Sequence, residues 1–161
     1  MPVSRDIVRM YRNPRQVAGE LYAMGQREDR AIAWLMIGCF IVFVSYLPAL
    51  QRNAVFEGGN FQRDMVYAFV SWLLVWPLGF YALSFAAFAV TYAFRKSATS
   101  YGARLSVFWG WLAATPLALF YGLLVGFNGA DHPGTIMIGG LWLVVLVWFW
   151  VCGLIETSRA R

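Results

Sequence analysis

The sequence contains few charged residues, few cysteines and almost no histidine. Only 13% of its 161 residues are Asp, Glu, Lys or Arg, whereas soluble domains average about 25%. The two cysteines, Cys39 and Cys152, have no cysteine at metal-binding spacing, and there is a single histidine. The sequence has no phosphate-binding glycine loop and no histidine pair for haem. We therefore expect no cofactor, no metal site and no nucleic-acid partner.

Hydrophobic residues make up 60% of the sequence and are concentrated in four runs. Each run is long enough for the ~20 residues that cross a bilayer. We predict an all-α integral membrane protein with four transmembrane helices, a loop at 51–64 and a polar tail at 156–161. The predicted helices cover residues 31–50, 65–94, 105–127 and 135–155.

Catalysis is not expected, because no run has an ionisable residue in its interior. Intramembrane enzymes and ion-coupled carriers place such groups at depth. The serine and threonine hydroxyls in the runs have no histidine or lysine nearby to activate them. Asp131 and His132, which are adjacent in the turn at 128–134, are interpreted as a solvated pair. The sequence predicts a protein that is not an enzyme.

The N-terminal residues 1–30 have the pattern of an amphipathic helix, interrupted at Asn13-Pro14. Apolar residues recur at steps of three and four, which is helical periodicity. The opposite face carries arginines, a pattern typical of helices that lie among anionic lipid headgroups. A helix packed on a protein domain is the alternative, because amphipathicity alone does not identify the partner. The predicted headgroup contacts are Arg5, Arg9, Arg12 and Arg15.

The third run has a small residue at every fourth position. Such spacing lets two helix backbones approach closely in a membrane. We therefore predict a helix-packing ridge formed by Gly110, Ala114, Ala118, Gly122 and Gly126.

Proline lies near the middle of two of the runs, with Pro77 in the second and Pro116 in the third. Each proline removes one helical hydrogen bond and favours a kink, so we predict that both contribute to helix packing. The second run also has a row of alanines, which we expect to face the third run. These alanines are Ala82, Ala86, Ala89 and Ala93.

The cations are distributed unevenly between the two ends of the predicted helices. With four spans, eleven of the thirteen Lys and Arg residues lie on the side of the termini, and only Arg52 and Arg63 lie on the other. Cytoplasmic loops are enriched in Lys and Arg. Both termini are therefore predicted to be cytoplasmic.

Three stretches of the chain resemble small alphaproteobacterial proteins of the Yip family, the Ypt/Rab-interacting-protein type of membrane domain. They are the Asn13-Pro14-Arg15 element, GQREDRAIAWLM at 25–36, and SYGARLSVFWGWLAATPLAL at 100–119, which has a Tyr-Gly before a helix with a central proline. The resemblance implies a multispanning fold in the bacterial inner membrane. Eukaryotic members engage prenylated Rab GTPases, but their Asp-Leu-Tyr-Gly-Pro motif is absent here, so no trafficking role is assigned to any residue.

Two functional hypotheses follow. The first is a non-enzymatic inner-membrane protein that scaffolds or shapes the membrane, or that serves as an accessory subunit of a membrane complex or a homo-oligomer. The alternative is a small transporter or channel component built around the proline-kinked second and third spans, since discontinuous helices form substrate sites in transporters.

Overall fold

The computed structural model describes residues 3–159, and every regular element in this range is helical. The all-α prediction is confirmed. The elements are α1 (Val3–Met10), α2 (Pro14–Ala23), α3 (Glu28–Phe56), α4 (Phe61–Val70), a π-helical turn (Ser71–Val75), α5 (Trp76–Phe94), α6 (Ser100–Ala113), α7 (Thr115–Asn128) and α8 (Pro133–Thr157).

Three helical stretches are long and apolar enough to cross a membrane: Glu28–Phe56, Phe61–Phe94 and Pro133–Thr157. The pair α6 and α7 meets the same criteria only when taken together, and its axis bends by 44° at the break. The molecule therefore has three candidate spans, or four if the bent pair is one span. These apolar helices indicate a membrane protein.

The break between α6 and α7 lies at Ala114, next to Pro116. Pro116 has no backbone N–H to donate to the carbonyl of Leu112, four residues earlier. The hydroxyl of Thr115 donates to that carbonyl instead, at 2.8 Å. A local hydrogen bond thus replaces the one that proline removes.

The second proline is accommodated in a different way. α4, the π-helical turn and α5 form one helix of 34 residues, and the wide turn ends at Val75, two residues before Pro77. Trp76 donates its backbone N–H to the carbonyl of Ser71, five residues earlier. The wider turn moves the preceding carbonyls away from the proline ring, which would clash with them in a regular α-helix.

The loop predicted at 51–64 is much shorter in the structure. α3 continues to Phe56 and α4 begins at Phe61. Gly58 has φ +70°, a left-handed conformation that glycine adopts without strain, and it lies in the remaining connection. The prediction was wrong because polar residues such as Gln51 and Asn53 are acceptable in a helix once it emerges from the apolar region.

α6 is the centre of the molecule. Every residue of α6 from Tyr101 to Ala113 is buried except Arg104, and α3, α5 and α8 surround it together with the N-terminal helices. Trp109 is almost fully enclosed and packs edge-on against Trp34, with ring centroids 4.7 Å apart. The short helix α6 is therefore the core of the bundle.

The face of α5 that meets α6 is not the predicted alanine row. Phe80 and Ser84 are buried, and the ring centroids of Phe80 and of Trp111 on α6 are 4.5 Å apart. An aromatic side chain buries far more apolar area than an alanine does, which favours this face. The alanines themselves are exposed, namely Ala82, Ala86, Ala89 and Ala93.

The N-terminal helices α1 and α2 form a hairpin along α6 and α8. Met10, Val17 and Leu21 are buried in the same core as α6. At the tip of the hairpin, the Tyr11 hydroxyl donates to the carbonyl of Ala113 at 3.1 Å. Ala113 is about 20 Å along α6 from its first residue, at 1.5 Å per residue. The apolar face of this segment therefore contacts the chain's own helices.

Candidate functional site

A cavity of about 530 Å³ lies in the half of the molecule that contains the turn at 128–132. One face of α3, including Val42 and Ala49, forms one wall, and one face of α7 forms another. Trp72 from the π-helical turn and Trp142 from α8 complete the lining. Its volume is within the range of about 300–1,000 Å³ typical of small-molecule sites.

Trp72, Tyr121 and Trp142, from three helical segments, line the cavity together with a fourth aromatic residue, Tyr46 of α3. The rings of Tyr121 and Trp142 are stacked, with centroids 6.2 Å apart and planes 15° apart. Trp111 of α6 lies 6.1 Å from Trp72 and 5.9 Å from Trp142 by ring centroids. This aromatic group therefore rests on the central helix, which limits its movement.

Polar side chains lie on the part of the lining nearest the turn, and we call this part the rim. Arg52 already has partners within the protein: its Nη1 donates to the carbonyl of Phe127 at 3.1 Å, and its guanidinium lies 4.9 Å from the ring centroid of Phe56. Within residues 3–159, neither Glu57 nor Asp131 forms an ion pair. The rim consists of Arg52, Asn53, Glu57, Asn128 and Asp131, with a formal charge of −1.

Both proline-associated irregularities border this cavity. Trp72 belongs to the π-helical turn that precedes Pro77, and Ala118 follows the bend at Pro116. Both residues line the cavity. Discontinuous helices beside a cavity are common at the binding sites of membrane transporters.

The predicted packing ridge contacts two different helices. A methyl group at Gly110 would lie 2.7 Å from the Trp150 ring of α8. Methyl groups at Gly122 and Gly126 would overlap Ser45 and Pro48 of α3. Ala114 and Ala118 are buried. The bend at Ala114 explains the change of partner, because α6 and α7 point their small residues in different directions.

The four N-terminal arginines do not share one environment. Arg9 donates two hydrogen bonds to the Glu20 carboxylate, at 2.8 and 2.9 Å, and is 3.4 Å from Asp6. Arg5, Arg12 and Arg15 are exposed. Arg12 and Arg15 border a shallow depression of about 430 Å³, together with Trp148 and Cys152 of α8.

The Arg9–Glu20 pair changes the proton affinity of both groups. Hydrogen bonds from Arg9 lower the pKa of Glu20, because they stabilise its charged form. The same contact raises the pKa of Arg9. Charge on both side chains therefore helps to join α1 to α2.

Asp131 and His132, which are adjacent in the turn, have different surroundings. The Nδ1 atom of His132 accepts a hydrogen bond from the backbone N–H of Gly134 at 3.2 Å, which caps α8. Asp131 lies on the cavity rim. No cluster of three His, Cys, Asp or Glu side chains that could hold a metal occurs in the part of the chain that the structure describes.

Several hydroxyls of the apolar helices form hydrogen bonds within their own helix. Ser45, Ser84 and Thr91 each donate to a backbone carbonyl three or four residues earlier. Such bonds satisfy the hydroxyl within its own helix.

The cavity itself was not predicted from the sequence. Glu57 was assigned to a loop, and the aromatic residues Trp72, Tyr121 and Trp142 are far apart in the sequence. The one available signal was the helical spacing of Val42, Ala49 and Asn53, which continues beyond residue 50 and indicates that α3 extends as far as the rim.

Comparison with known proteins does not assign the chain to a family: no family model, no curated protein and no solved structure matches it.

Proposed function

We propose that this chain is a non-enzymatic membrane protein of the Yip type, which acts as a membrane scaffold or as an accessory subunit of a membrane complex. In this proposal it resides in the bacterial inner membrane, the bent pair α6–α7 is the third of four spans, and both termini are cytoplasmic. The charge asymmetry of the loops supports that orientation.

The observation that carries the proposal is an uncovered row of small residues on α5. Gly79, Ala82, Ala86, Ala89 and Ala93 recur at steps of three and four and are all exposed. The space around Gly79 is open, since nothing lies within 4 Å of a methyl group placed there. Small-residue faces let two membrane helices approach closely. This row therefore fits a helix from a second copy or from another membrane protein.

Site-specific photo-crosslinking tests the proposal. A benzophenone amino acid at position 86 is expected to capture a protein partner in native membranes, and mass spectrometry would identify it. The matched control places the same group at Leu83, which is exposed on α5 outside the row. Crosslinks to lipid alone at both positions would rule out an interface on this face.

The exposed N-terminal arginines support a contact with anionic lipid headgroups. Arg12 and Arg15 lie beside Trp148, and basic pockets of this kind suit lipid phosphate groups. Arg12→Gln with Arg15→Gln should reduce the anionic lipid retained in native mass spectrometry. Arg63→Gln, a change to an exposed arginine in α4, is the control and should retain the wild-type amount.

A second candidate function is a small transporter or channel component, and the position of the cavity between the two irregular helices favours it. Pro77→Ala and Pro116→Ala should then impair flux of a solute while the amount of protein in the membrane stays unchanged. An equal loss of protein level would instead assign the prolines to packing.

A further inference from the structure

We propose that the cavity between α3, α7 and α8 binds a small amphipathic organic cation, with its apolar part among the aromatic side chains and its ammonium group near the rim. Binding by the purified chain is independent of the scaffold function and does not require that the cation be transported.

The charge at the rim favours a cation. Glu57 and Asp131 both line the cavity, and neither forms an ion pair in the described part of the chain. Arg52 is the one basic side chain in the lining, and its guanidinium donates to the Phe127 carbonyl and contacts the Phe56 ring. The carboxylates are therefore the charges at the rim that lack a protein partner, so a cationic ligand complements them.

The aromatic lining favours an organic cation over a hydrated metal ion. Trp72, Tyr121 and Trp142 contribute aromatic surface to the lining. Such surface suits the apolar part of an organic cation, whose ammonium group then lies near the rim. A hard metal ion would require several oxygen ligands, and no cluster of three acidic, histidine or cysteine side chains exists within residues 3–159.

Close contacts between the helices fix the walls of the cavity. Gly122 packs directly on the backbone of Ser45, and Gly139 lies against the ring of Tyr121. The ring of Trp111 packs against the rings of Trp72 and Trp142. A site held by close backbone contacts and stacked rings is largely preformed, which reduces the cost of ordering it around a ligand.

Binding is measured with benzyltrimethylammonium, an aromatic quaternary ammonium, on the full-length protein in maltoside detergent. Isothermal titration or tryptophan fluorescence is expected to give saturable binding with a dissociation constant below about 1 mM. Benzenesulfonate, which pairs a similar ring with a negative charge, should bind at least about tenfold more weakly.

Charge-neutral variants locate the site. The double change Glu57→Gln and Asp131→Asn keeps side-chain size and should weaken cation binding about fivefold, as expected for exposed ion pairs. Asp29→Asn is the matched control, because Asp29 is an exposed carboxylate on the first turn of α3 that does not line the cavity. It should bind like the wild type.

Aromatic variants test the other half of the site. Trp142→Leu should weaken binding, whereas Trp142→Tyr, which keeps an aromatic ring to pack against the apolar part of the ligand, should restore much of it. Trp148→Leu, outside the cavity, should have no effect. Circular dichroism and elution volume must match the wild type, and the double carboxylate variant supplies the test if Trp142→Leu does not fold.

The outcomes separate the possible sources of the ammonium group. Saturable binding of benzyltrimethylammonium that a short-chain phosphocholine lipid does not displace supports a small solute as the ligand. Stronger binding of the phosphocholine lipid, with the same dependence on Glu57 and Asp131, assigns the site to a lipid headgroup and overturns the proposed ligand. Absence of saturable binding up to about 10 mM, equal binding of benzenesulfonate, or wild-type affinity in the carboxylate variant overturns the site itself.

Discussion

At the scale of single residues, the glycines of α6 and α7 matter according to what each one contacts. Gly122 lies so close to the Ser45 carbonyl of α3 that a methyl group would overlap it. Backbone cannot move aside as a side-chain tip can, so this position requires glycine. Gly140 of α8 has nothing within 4 Å of the same methyl position.

Gly122→Ala is therefore expected to lower the free energy of unfolding by about 2–3 kcal/mol, because it forces α3 and α7 apart. Gly140→Ala changes a helical glycine in the same way chemically, and it should leave stability unchanged or raise it slightly. Thermal unfolding of the two purified variants in the same detergent makes the comparison. Equal melting temperatures would show that α3 and α7 are less closely packed than described.

At the scale of elements, the N-terminal hairpin is joined to the bundle by a few directional contacts. Tyr11 donates to Ala113 at the break between α6 and α7, and its ring packs edge-on against Phe149. Burial raises the pKa of Tyr11, so its hydroxyl stays protonated as the donor. At the other end of the hairpin, the Tyr101 hydroxyl of α6 donates to the Gly25 carbonyl.

The hairpin should loosen in acid, because the pKa of Glu20 is lowered in the folded protein by hydrogen bonds from Arg9. A lowered pKa adds stability that is fully present above the ordinary value of 4.5 and is lost as the pH falls through the folded value. Hydrogen exchange of α1 and α2, corrected for intrinsic rates, should rise on acidification in this range. Glu20→Gln should exchange faster at neutral pH and lose part of this acid response. An unchanged acid response in that variant would assign the effect to other carboxylates.

At the scale of the whole molecule, apolar side chains lie both inside and outside the bundle. α6 is enclosed, whereas α5 and α8 expose large apolar residues along their length, including Leu78, Phe85, Met137 and Val144. A continuous exposed apolar surface of this kind suits the hydrocarbon region of a bilayer.

The proposed orientation predicts the labelling of single cysteines in intact cells. Gln62→Cys, at an exposed position in the first turn of α4, should react with a membrane-impermeant maleimide from outside the inner membrane. Ser100→Cys, at the first residue of α6, should react only after the inner membrane is permeabilised. Cys39 and Cys152 are buried and should contribute little background. The reverse pattern would place both termini on the outer side.

The amino-acid pattern alone predicted the all-helical class and the apolar helices, because hydrophobic run length and the scarcity of charge are local properties. It also predicted that the helices are irregular near Pro77 and Pro116, because a proline acts on the hydrogen bonds of its own turn. It was wrong about the alanine face of α5 and about the loop at 51–64. Side-chain size does not say which face a neighbour covers, and polar residues do not end a helix by themselves.

The tertiary structure decided what the sequence pattern left open. The same amphipathic periodicity suits lipid or protein, and only the packing of Met10, Val17 and Leu21 into the core around α6 shows that the chain covers its own N-terminal helices. The cavity likewise depends on contacts between residues that are as far apart in the sequence as Val42 and Trp142. The sequence determines which segments are helices because that depends on neighbours along the chain, whereas the cavity and its unpaired carboxylates arise from contacts between segments that are distant in sequence.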